Sequence, residues 1–491
     1  MKKARYLFGI ALLLGFALPG AAMQPTPCAH APHDVTPLSR GDWIEQASGF
    51  TTGGRGINYI SIVNENISWA QGYDGFNPSS PCQDFTRTID GGTTWTPGTI
   101  PGIPDLKFSM IDALDANTTW ACMLATSSPG PQGIYKTSDG GATWQRQATA
   151  AFNSSTTVSY PDCVHFFDAN IGWCLGDPRD GYFEMYTTND SGINWTRVPS
   201  ANIPPPLNGE YGVTGYSTAI NSTLWFGTSR GRVYKSIDYG YHWTVAQTTD
   251  SAFVKPVFRD LYHGLALDVN LDASPHLSET SDGGTTWTDV PFTGVCYDNS
   301  ICYVPGTPNM YVSVGAASAA SGASFSLNGG HTWVDYPEFQ NNTIPTQLLS
   351  VAFTTNQVGW AGSFNTNETS GGVWKHISSG GPNPVFTIDT FDGWGLTVDV
   401  KNTGEGNATN VRCSIAISGG LWMQQRDFTR TTSLIATSGN FSFTERVIGI
   451  GLGILKSKPV PSITITVTCS ENVSATKTVN AKIFLWNVML L

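Results

Sequence analysis

The octapeptide TSDGGATW occupies residues 137–144 and recurs with variations along this 491-residue chain. The other copies are TIDGGTTW (88–95), TNDSGINW (188–195), SIDYGYHW (236–243), TSDGGTTW (280–287) and the divergent SLNGGHTW (326–333). Successive copies begin 44 to 51 residues apart. Such a period indicates a repeated supersecondary unit that buries its faces only by packing against its neighbours.

Each repeat has the pattern of four short antiparallel strands. A hairpin pattern precedes the octapeptide and consists of an apolar run, a polar turn and a second apolar run, as in VHFFDANIGWCLG (164–176). An alternating strand such as GIYKTSD (133–139) follows, and a fourth strand comes after the octapeptide. Four antiparallel strands per period are typical of a β-propeller blade.

The octapeptide itself predicts a turn that supports the fold. Its aspartate is expected to cap backbone N–H groups, and its glycine to adopt a positive φ. The terminal tryptophan is expected to pack between neighbouring sheets. None of these roles requires a ligand.

The pattern S/T-x-D-x-G-x-T-W resembles the Asp-box, or bacterial neuraminidase repeat, of sialidases, sortilin-like receptors and xyloglucan-specific endoglucanases. Within this group the chain resembles the photosystem II assembly factor family and its bacterial and archaeal relatives of unknown role. The resemblance is most marked over 166–215, where GDPRDG (176–181) is followed by PPPLNGE (204–210). It implies a propeller over 41–380, with the Asp-boxes at the blade periphery. A photosynthetic role is not implied, because nothing in the sequence marks a thylakoid protein.

Seven hairpin patterns predict a seven-bladed β-propeller. They centre near Trp69, Trp120, Trp173, Trp225, Leu265, Tyr311 and Trp360. The seventh blade lacks a fourth strand before a Gly/Pro-rich stretch at 379–385. We therefore predict that GDWIEQAS (41–48) completes it and removes an exposed sheet edge.

The region 384–491 has no Asp-box and predicts a second module. Alternating stretches at 396–417 and 462–469 resemble an Ig-like β-sandwich. The predicted fold class is therefore all-β, a seven-bladed propeller followed by an Ig-like β-sandwich.

The N-terminal residues predict export. Residues 1–22 combine Lys2, Lys3 and Arg5 with an apolar run and the small-residue stretch GAA (20–22), the pattern of a secretory signal peptide. The apolar run is too short for a transmembrane anchor, and 23–40 are predicted to form a spacer. Several N-x-S/T sequons favour a glycoprotein. We expect a secreted or cell-surface protein.

Net charge and cysteine content indicate which partners and which covalent cross-links to expect. A net charge of −11 with 26 Lys and Arg residues argues against a nucleic-acid partner. Nine cysteines in an exported chain favour disulfides. The predicted disulfides, whose connectivity the spacing leaves open, are Cys163–Cys174, Cys296–Cys302 and Cys413–Cys469.

The most polar segment of the predicted loop face is the candidate binding site. It contains Asp177, Arg179 and Asp180, followed by Glu210 and Tyr211. Two carboxylates beside an arginine can bind a sugar or a peptide, and a suitably spaced pair can hydrolyse a glycoside. The alternative is structural, with the aspartates capping a tight turn and Arg179 pairing with them.

One acidic segment is a candidate calcium loop. Asp268, Asn270, Asp272 and Glu279 occupy positions 1, 3, 5 and 12 of a calcium-binding pattern. Ala273 replaces the glycine expected at position 6, so a solvated acidic loop is the alternative. Apart from this structural calcium, the sequence predicts no cofactor.

Two functions remain open at this point. The first is an exported, non-catalytic binding or scaffold protein whose loop face takes a protein or a cell-surface glycan. The second is a polysaccharide-acting glycoside hydrolase, with Asp177, Asp180 and Glu210 as the candidate carboxylates.

Overall fold

The structure is a computed structural model. It describes residues 42–126, 130–152, 159–269, 275–317, 320–339, 346–377, 385–403, 408–436, 438–451, 460–469, 474–485 and 487–491. These residues are almost entirely β-strand and turn, with short 3-10 helices at Ser200–Asn202 and Pro337–Phe339. They divide into two compact units, and the described parts of these cover Trp43–His376 and Ile377–Leu491.

The first unit is built from short strands whose bounds follow the repeat. They are β1 (Asp42–Ala47), β2 (Arg55–Ile62), β3 (Ser68–Asp74), β4 (Asp84–Thr88), β5 (Thr96–Thr99), β6 (Leu106–Ala113), β7 (Thr119–Ala125), β8 (Gly133–Thr137), β9 (Gln145–Arg146), β10 (Pro161–Phe166), β11 (Gly172–Arg179), β12 (Tyr182–Thr188), β13 (Thr196–Arg197), β14 (Gly212–Ile220), β15 (Thr223–Thr228), β16 (Arg232–Ser236), β17 (Thr244–Gln247), β18 (Val254–Phe258), β19 (Gly264–Asp268), β20 (Leu277–Thr280), β21 (Thr288–Asp289), β22 (Ser300–Tyr303), β23 (Tyr311–Ala317), β24 (Ala320–Ser326), β25 (Val334–Asp335), β26 (Ser350–Phe353), β27 (Val358–Asn367) and β28 (Ser370–Ile377).

Most of these strands form antiparallel sheets of four consecutive strands. Such sheets are β6–β9, β10–β13, β14–β17, β18–β21 and β22–β25. An eight-stranded sheet has the order β1-β28-β27-β2-β3-β4-β5, with β26 also paired to β27. In that sheet β2 and β27 are joined only at Gly56 and Phe364.

The first strands of successive sheets contact one another around a closed ring. The contacts run from β2 through β6, β10, β14, β18, β22 and β26 and back to β2. Second strands carry fully buried tryptophans, namely Trp69, Trp120, Trp173, Trp225 and Trp360. The sheets are thus arranged as in a propeller, with first strands around a central channel and aromatic packing between sheets.

The Asp-box turns form as the sequence predicts. In the first copy, the backbone N–H of Thr94 donates to Asp90 Oδ1 at 2.9 Å, and Gly91 and Gly92 have φ of 70° and 83°. Asn328 accepts the equivalent bond from Thr332 N at 2.9 Å in the divergent copy. Because asparagine retains the acceptor oxygen, the sixth turn keeps its shape without the charge.

The second unit contains two sheets around one apolar core. Its strands are β29 (Phe386–Phe391), β30 (Leu396–Asn402), β31 (Ala408–Ser418), β32 (Trp422–Met423), β33 (Asp427–Ile435), β34 (Asn440–Glu445), β35 (Gly449–Gly451), β36 (Ser462–Thr468), β37 (Ser474–Leu485) and β38 (Asn487–Leu490). One sheet has the order β29-β30-β34, and the other β32-β35-β37-β36-β31-β33 with β38 beside β37. Val398 from the first sheet and Ile415 and Ile465 from the second belong to the same buried cluster.

The predicted disulfides within the propeller unit are not formed. Cys163, Cys174, Cys296 and Cys302 are free thiols. Cys163 lies opposite Leu175 and Cys174 opposite Val164, so the first pair points to opposite faces of its sheet. Cys296 precedes β22, and its thiol donates to the carbonyl of the adjacent Tyr297.

The predicted Cys413–Cys469 bridge is also absent. Cys413 is a buried free thiol on β31, opposite Val467 of β36. Cys469 directly follows β36, which is paired with β31 in the same sheet. A disulfide here would not join the two sheets, which was the role expected from the sequence.

Candidate functional site

The hydrogen bonds of the Asp-box turns define the two ends of the propeller unit. Gly91 N donates to Asn66 O at 2.9 Å, and Gly140 N donates to Asn117 O at the same distance. Each bond joins an Asp-box to the turn between the first and second strands of its own sheet. The loops between second and third strands therefore lie at the opposite end, which we call the loop face.

The structure places Arg179 and Asp180 at a tight turn of the loop face. Asp180 and Gly181 join β11 to β12 with φ of 60° and 86°, as Asp-Gly does in a type I′ hairpin turn. Arg179 Nη2 lies 2.7 Å from Glu184 Oε1, and the Glu184 side chain is fully buried. Arg197 Nη1 donates to Asp180 Oδ2 at 3.0 Å. Arg179 is therefore tied to a buried carboxylate within its own hairpin.

Glu210 is likewise committed to partners inside the fold. Its side chain is fully buried and forms an ion pair with Arg232, whose Nε donates to Glu210 Oε1 at 2.9 Å. Thr228 Oγ1 donates to the same oxygen at 2.6 Å. This carboxylate fixes the loop before β14 against β15 and β16 and does not reach the surface.

The remaining candidates of this group are partly or fully covered. Asp177 is buried, and its carbonyl accepts a hydrogen bond from Ser159 Oγ at 2.9 Å. Tyr211 is half-buried, with its ring centroid 5.9 Å from that of Phe253. The geometry of the group thus matches the structural alternative, because its charged members hold turns and loops in place.

The residues of the predicted calcium loop do not converge. Asp268 ends β19, whereas Glu279 lies within β20 opposite Leu265, three residues back along β19. Glu279 Oε2 lies 3.5 Å from His331 Nε2 on the next sheet. Asn270 and Asp272 lie outside the described residues. The pairing of β19 with β20 therefore separates the first and last positions of the calcium pattern.

A cavity of about 330 Å³ lies in the central channel, toward the Asp-box end. Its walls come from the second halves of first strands and from neighbouring residues. The lining residues are Tyr59, Ile60, Ser61, Ile62, Met110, Asp112, His165, Ser217, Thr218, Ala219, Leu224, Ala352 and Phe353. We call this space the channel cavity.

A contact between a histidine and an aspartate gives the channel cavity its polar side. His165 Nδ1 lies 3.4 Å from Asp112 Oδ2, and the same oxygen accepts the backbone N–H of Phe166 at 2.7 Å. The imidazole is about one quarter exposed, so it can meet a ligand in the cavity. Ile60, Met110 and Phe353 supply apolar contact on other walls.

Tyr59 narrows the channel beside this cavity. It extends from β2 to β14, where a Cβ placed on Gly215 would lie 2.9 Å from Tyr59 Cδ2. Gly215 has φ of +72° and sits in an irregularity of the β14–β15 pairing. Burial, with smaller contributions from Asp112 and Cys163, raises the pKa of Tyr59 well above its usual value. The phenol is therefore neutral at physiological pH.

A second polar group lies nearer the loop face. Lys255 Nζ donates to Ser300 Oγ at 2.8 Å and sits 5.6 Å from the centre of the Tyr216 ring. Burial lowers the pKa of Lys255 to about 8. Burial also raises the pKa of the neighbouring Asp298. Perturbed groups of this kind are common at functional sites and at structural clusters alike.

Sequence reasoning placed the site on the loop face and missed the channel cavity. The cavity residues Tyr59, Asp112, His165 and Ser217 are about one repeat apart from each other, so they form no local motif. Their common signal is positional, because each lies in the apolar run that begins a repeat and carries a polar side chain there.

Comparison with known proteins agrees with the repeat assignment. The sequence model of the family described as photosynthesis system II assembly factor YCF48 matches residues 129–270. A curated xyloglucanase from Paenibacillus sp is 25% identical over 241 residues, which is 42% of this chain. The match spans only 23% of that relative's own length.

Several solved structures are similar at low identity. YCF48 bound to D1 peptide is 19% identical with a TM-score of 0.47, covering 69% of this chain and 97% of that one. YCF48 from Cyanidioschyzon merolae is 16% identical with a TM-score of 0.48, covering 69% and 99%. The GH74 xyloglucanase from Xanthomonas campestris is 11% identical with a TM-score of 0.44, covering 89% and 74%.

One observation concerns helices that could span a membrane. Within the described part of the chain, every helix is too short or too polar to cross a bilayer.

The Asp-box hydrogen bonds, the closed ring of first strands and the family match agree with one another. The chain contains an Asp-box β-propeller that resembles the photosynthesis system II assembly factor family.

Proposed function

We propose that this chain is an exported, non-catalytic binding protein whose propeller takes a segment of a protein partner in the channel cavity. The observation that carries the proposal is the cavity itself, which combines apolar walls with the Asp112–His165 pair. Its volume of about 330 Å³ lies at the small end of ligand sites in proteins. That size suits a few side chains of an extended peptide better than a folded domain.

The proposal includes a seven-bladed architecture. Five four-stranded sheets account for five blades. The eight-stranded sheet supplies two more if it is divided at the single Gly56–Phe364 pair, into β2–β5 and β26–β28 with β1. On this division β1 completes the blade that begins with β26, and the propeller domain covers 41–380.

The proposal also gives roles to both ends of the chain. The charged and apolar pattern of 1–22 supports a signal peptide, and 23–40 is then a spacer that leads to a secreted or cell-surface propeller. The shared core of two facing sheets supports an Ig-like sandwich at 384–491. Such a module would space the propeller or attach it to a surface.

A protein partner is preferred over a glycan for two reasons. The matching family is described as an assembly factor, a class of protein that acts on other proteins. In addition, the aromatic side chains Tyr59 and Phe353 line the channel cavity together with aliphatic side chains such as Ile60, a lining that suits the side chains of a peptide. A cell-surface glycan is the second candidate ligand, for which a polysaccharide panel provides the test.

A glycoside hydrolase is the alternative function, favoured by the partial match to a xyloglucanase. Its candidate carboxylates are poorly placed for catalysis. Glu210 is fully buried against Arg232, and Asp180 is held by Arg197. A retaining or inverting mechanism needs two carboxyl groups that both reach the scissile bond.

The deciding experiment measures binding and product formation with the full chain. An array of extended peptides and a panel of polysaccharides that includes xyloglucan would be screened with wild type and two variants. Ser217→Trp fills the channel cavity, and Asp180→Ala removes an exposed charge from the loop face. We expect peptide affinity to fall at least tenfold in the first variant and to stay within twofold in the second.

The other outcomes replace the proposal. Loss of binding in Asp180→Ala alone would move the site to the loop face. Binding of intact polysaccharide without peptide binding would make the ligand a glycan, and shortened products would establish a hydrolase. Ala352→Leu, a smaller addition in the same cavity, guards against a folding defect in Ser217→Trp.

A further inference from the structure

Three side chains at the loop face surround a common point. Asp250 lies in the connection between β17 and β18, Asp268 ends β19, and His276 directly precedes β20. One potential ligand atom from each lies within 4.8 Å of the other two. We propose that Asp250, Asp268 and His276 bind a divalent transition-metal ion of the Zn²⁺ type.

The local geometry already brings two of the ligands together. His276 Nδ1 lies 3.2 Å from Asp250 Oδ1. Asp268 N donates to His276 O at 2.9 Å, which fixes the base of the loop between β19 and β20. Tetrahedral ligands about 2.0–2.2 Å from a Zn²⁺ ion are roughly 3.3–3.6 Å apart. The ligand atoms lie within 4.8 Å of one another, so side-chain movements that shift them by about 1 Å bring them to this spacing.

The second observation is an unpartnered buried carboxylate. Asp268 is 6% exposed, and no donor among the described residues forms a hydrogen bond with its buried Oδ1. Asp250 is 8% exposed, and its buried Oδ2 likewise accepts no hydrogen bond from the described residues. Buried carboxylate oxygens are normally satisfied by donors or by metal ions. Two buried carboxylates of one cluster, each with an oxygen that lacks a donor, have the character of a cation site.

The two aspartates of the group are like charges in a buried environment. Burial and the neighbouring charges of Asp250 and Asp298, opposed by His276, together raise the pKa of Asp268 to about 6. Burial also raises the pKa of Asp250, an effect that His276 opposes. A divalent ion would neutralise both aspartates at once and offset the repulsion between them.

The ligand types select the class of metal. An imidazole nitrogen with two carboxylates suits Zn²⁺ and related ions, whereas Ca²⁺ prefers six to eight oxygen ligands. The site differs from the calcium loop predicted from sequence, because Glu279 faces His331 instead. Because Asp250 lies in the connection between β17 and β18, a bound metal ion would link this connection to the β19–β20 hairpin.

The test is metal titration of chelator-treated full chain, followed by calorimetry and thermal unfolding with Zn²⁺, Mn²⁺ or Ca²⁺. We expect one Zn²⁺ per chain, bound at least tenfold more tightly than Ca²⁺. Asp268→Asn and His276→Gln should each weaken Zn²⁺ binding at least tenfold. The wild-type melting temperature should rise with Zn²⁺, and the variants should lose that rise.

A matched control exists in the same sheet. His263 Nδ1 lies 2.9 Å from Asp260 Oδ1, but Arg259 already pairs with that aspartate. His263→Gln should leave Zn²⁺ affinity unchanged. Equal loss in His263→Gln and His276→Gln, no binding at about 100 µM Zn²⁺, or tighter binding of Ca²⁺ than Zn²⁺ would each overturn the proposal. Retained binding in a folded Asp268→Asn variant would do the same.

Discussion

The ion pair between Arg179 and Glu184 should be a major stabilising contact of its sheet, and Arg179→Leu tests this. The substitution leaves the Glu184 carboxylate buried, with the hydroxyl of Tyr186 as its remaining donor at 2.5 Å. Removing one partner of a buried ion pair typically costs about 3–5 kcal/mol. We expect a loss of that size in the free energy of unfolding.

The assay is urea unfolding of the full chain followed by tryptophan fluorescence. Thirteen of the sixteen tryptophans precede residue 377, so the signal reports chiefly on the propeller unit. The control is the double variant Arg179→Leu/Glu184→Leu, in which no buried charge is left unpaired. Replacing both members of a buried pair is often neutral or stabilising, so the double variant should recover most of the loss.

The refuting result is a loss below about 1 kcal/mol in the single variant. That value is typical of an exposed pair and would mean that Arg179 does not support the fold. Arg179 would then return as a candidate for ligand binding. A double variant as unstable as the single one would show that the apolar replacement, and not the unpaired charge, causes the loss.

Three further predictions concern the channel, a buried lysine and an Asp-box. Gly215→Ala should lower the free energy of unfolding by about 1–3 kcal/mol in urea, because alanine at φ +72° is strained and its Cβ would meet the Tyr59 ring. The pKa of Lys255 is about 8 in the folded chain and 10.5 in its usual state, so between these pH values the unfolded chain binds more protons than the folded chain. The stability of the wild type should therefore rise with pH over that range. Lys255→Met should abolish this rise in melting temperatures measured from pH 7.5 to 10. A threonine hydroxyl and backbone N–H groups lower the pKa of Asp282 to about 2, so its contribution is present above pH 3.8 and is lost as the pH falls toward 2. Asp282→Asn should flatten that acid dependence in a melting-temperature series and keep the turn, as Asn328 does; an unchanged acid profile would contradict this assignment.

The repeat was predictable because its determinants are local. The aspartate and glycine of TIDGGTTW form the expected turn, and Trp95 packs edge-on against Trp360 of another blade-forming strand, with ring centroids 6.2 Å apart. The disulfides were not predictable from spacing, because a two-residue periodicity decides whether neighbouring cysteines face each other. Cys163 and Cys174 are on the wrong faces by one position.

The candidate sites escaped prediction for a related reason. Asp112 and His165 meet in the channel although they belong to different repeats. Asp250 and His276 are brought together by the connection between two sheets. The ring of strands defines the first pair and the connection between neighbouring sheets defines the second, and no local motif in the sequence encodes either. Asp268 belongs both to the calcium loop predicted from the sequence and to the proposed Zn²⁺ site, with different partners in each.

The pairing of β1 with β28 has a consequence for vectorial synthesis. The strand that is made first hydrogen-bonds to a strand that is made last in this unit, and the Asn365 side chain donates to the carbonyl of Phe50, 315 residues earlier. Any nascent chain that stops before residue 370 is an open arc with two unpaired sheet edges. Closure of the circle is therefore a late, non-local event, and a growing or translocating chain must keep both edges from self-association until it occurs.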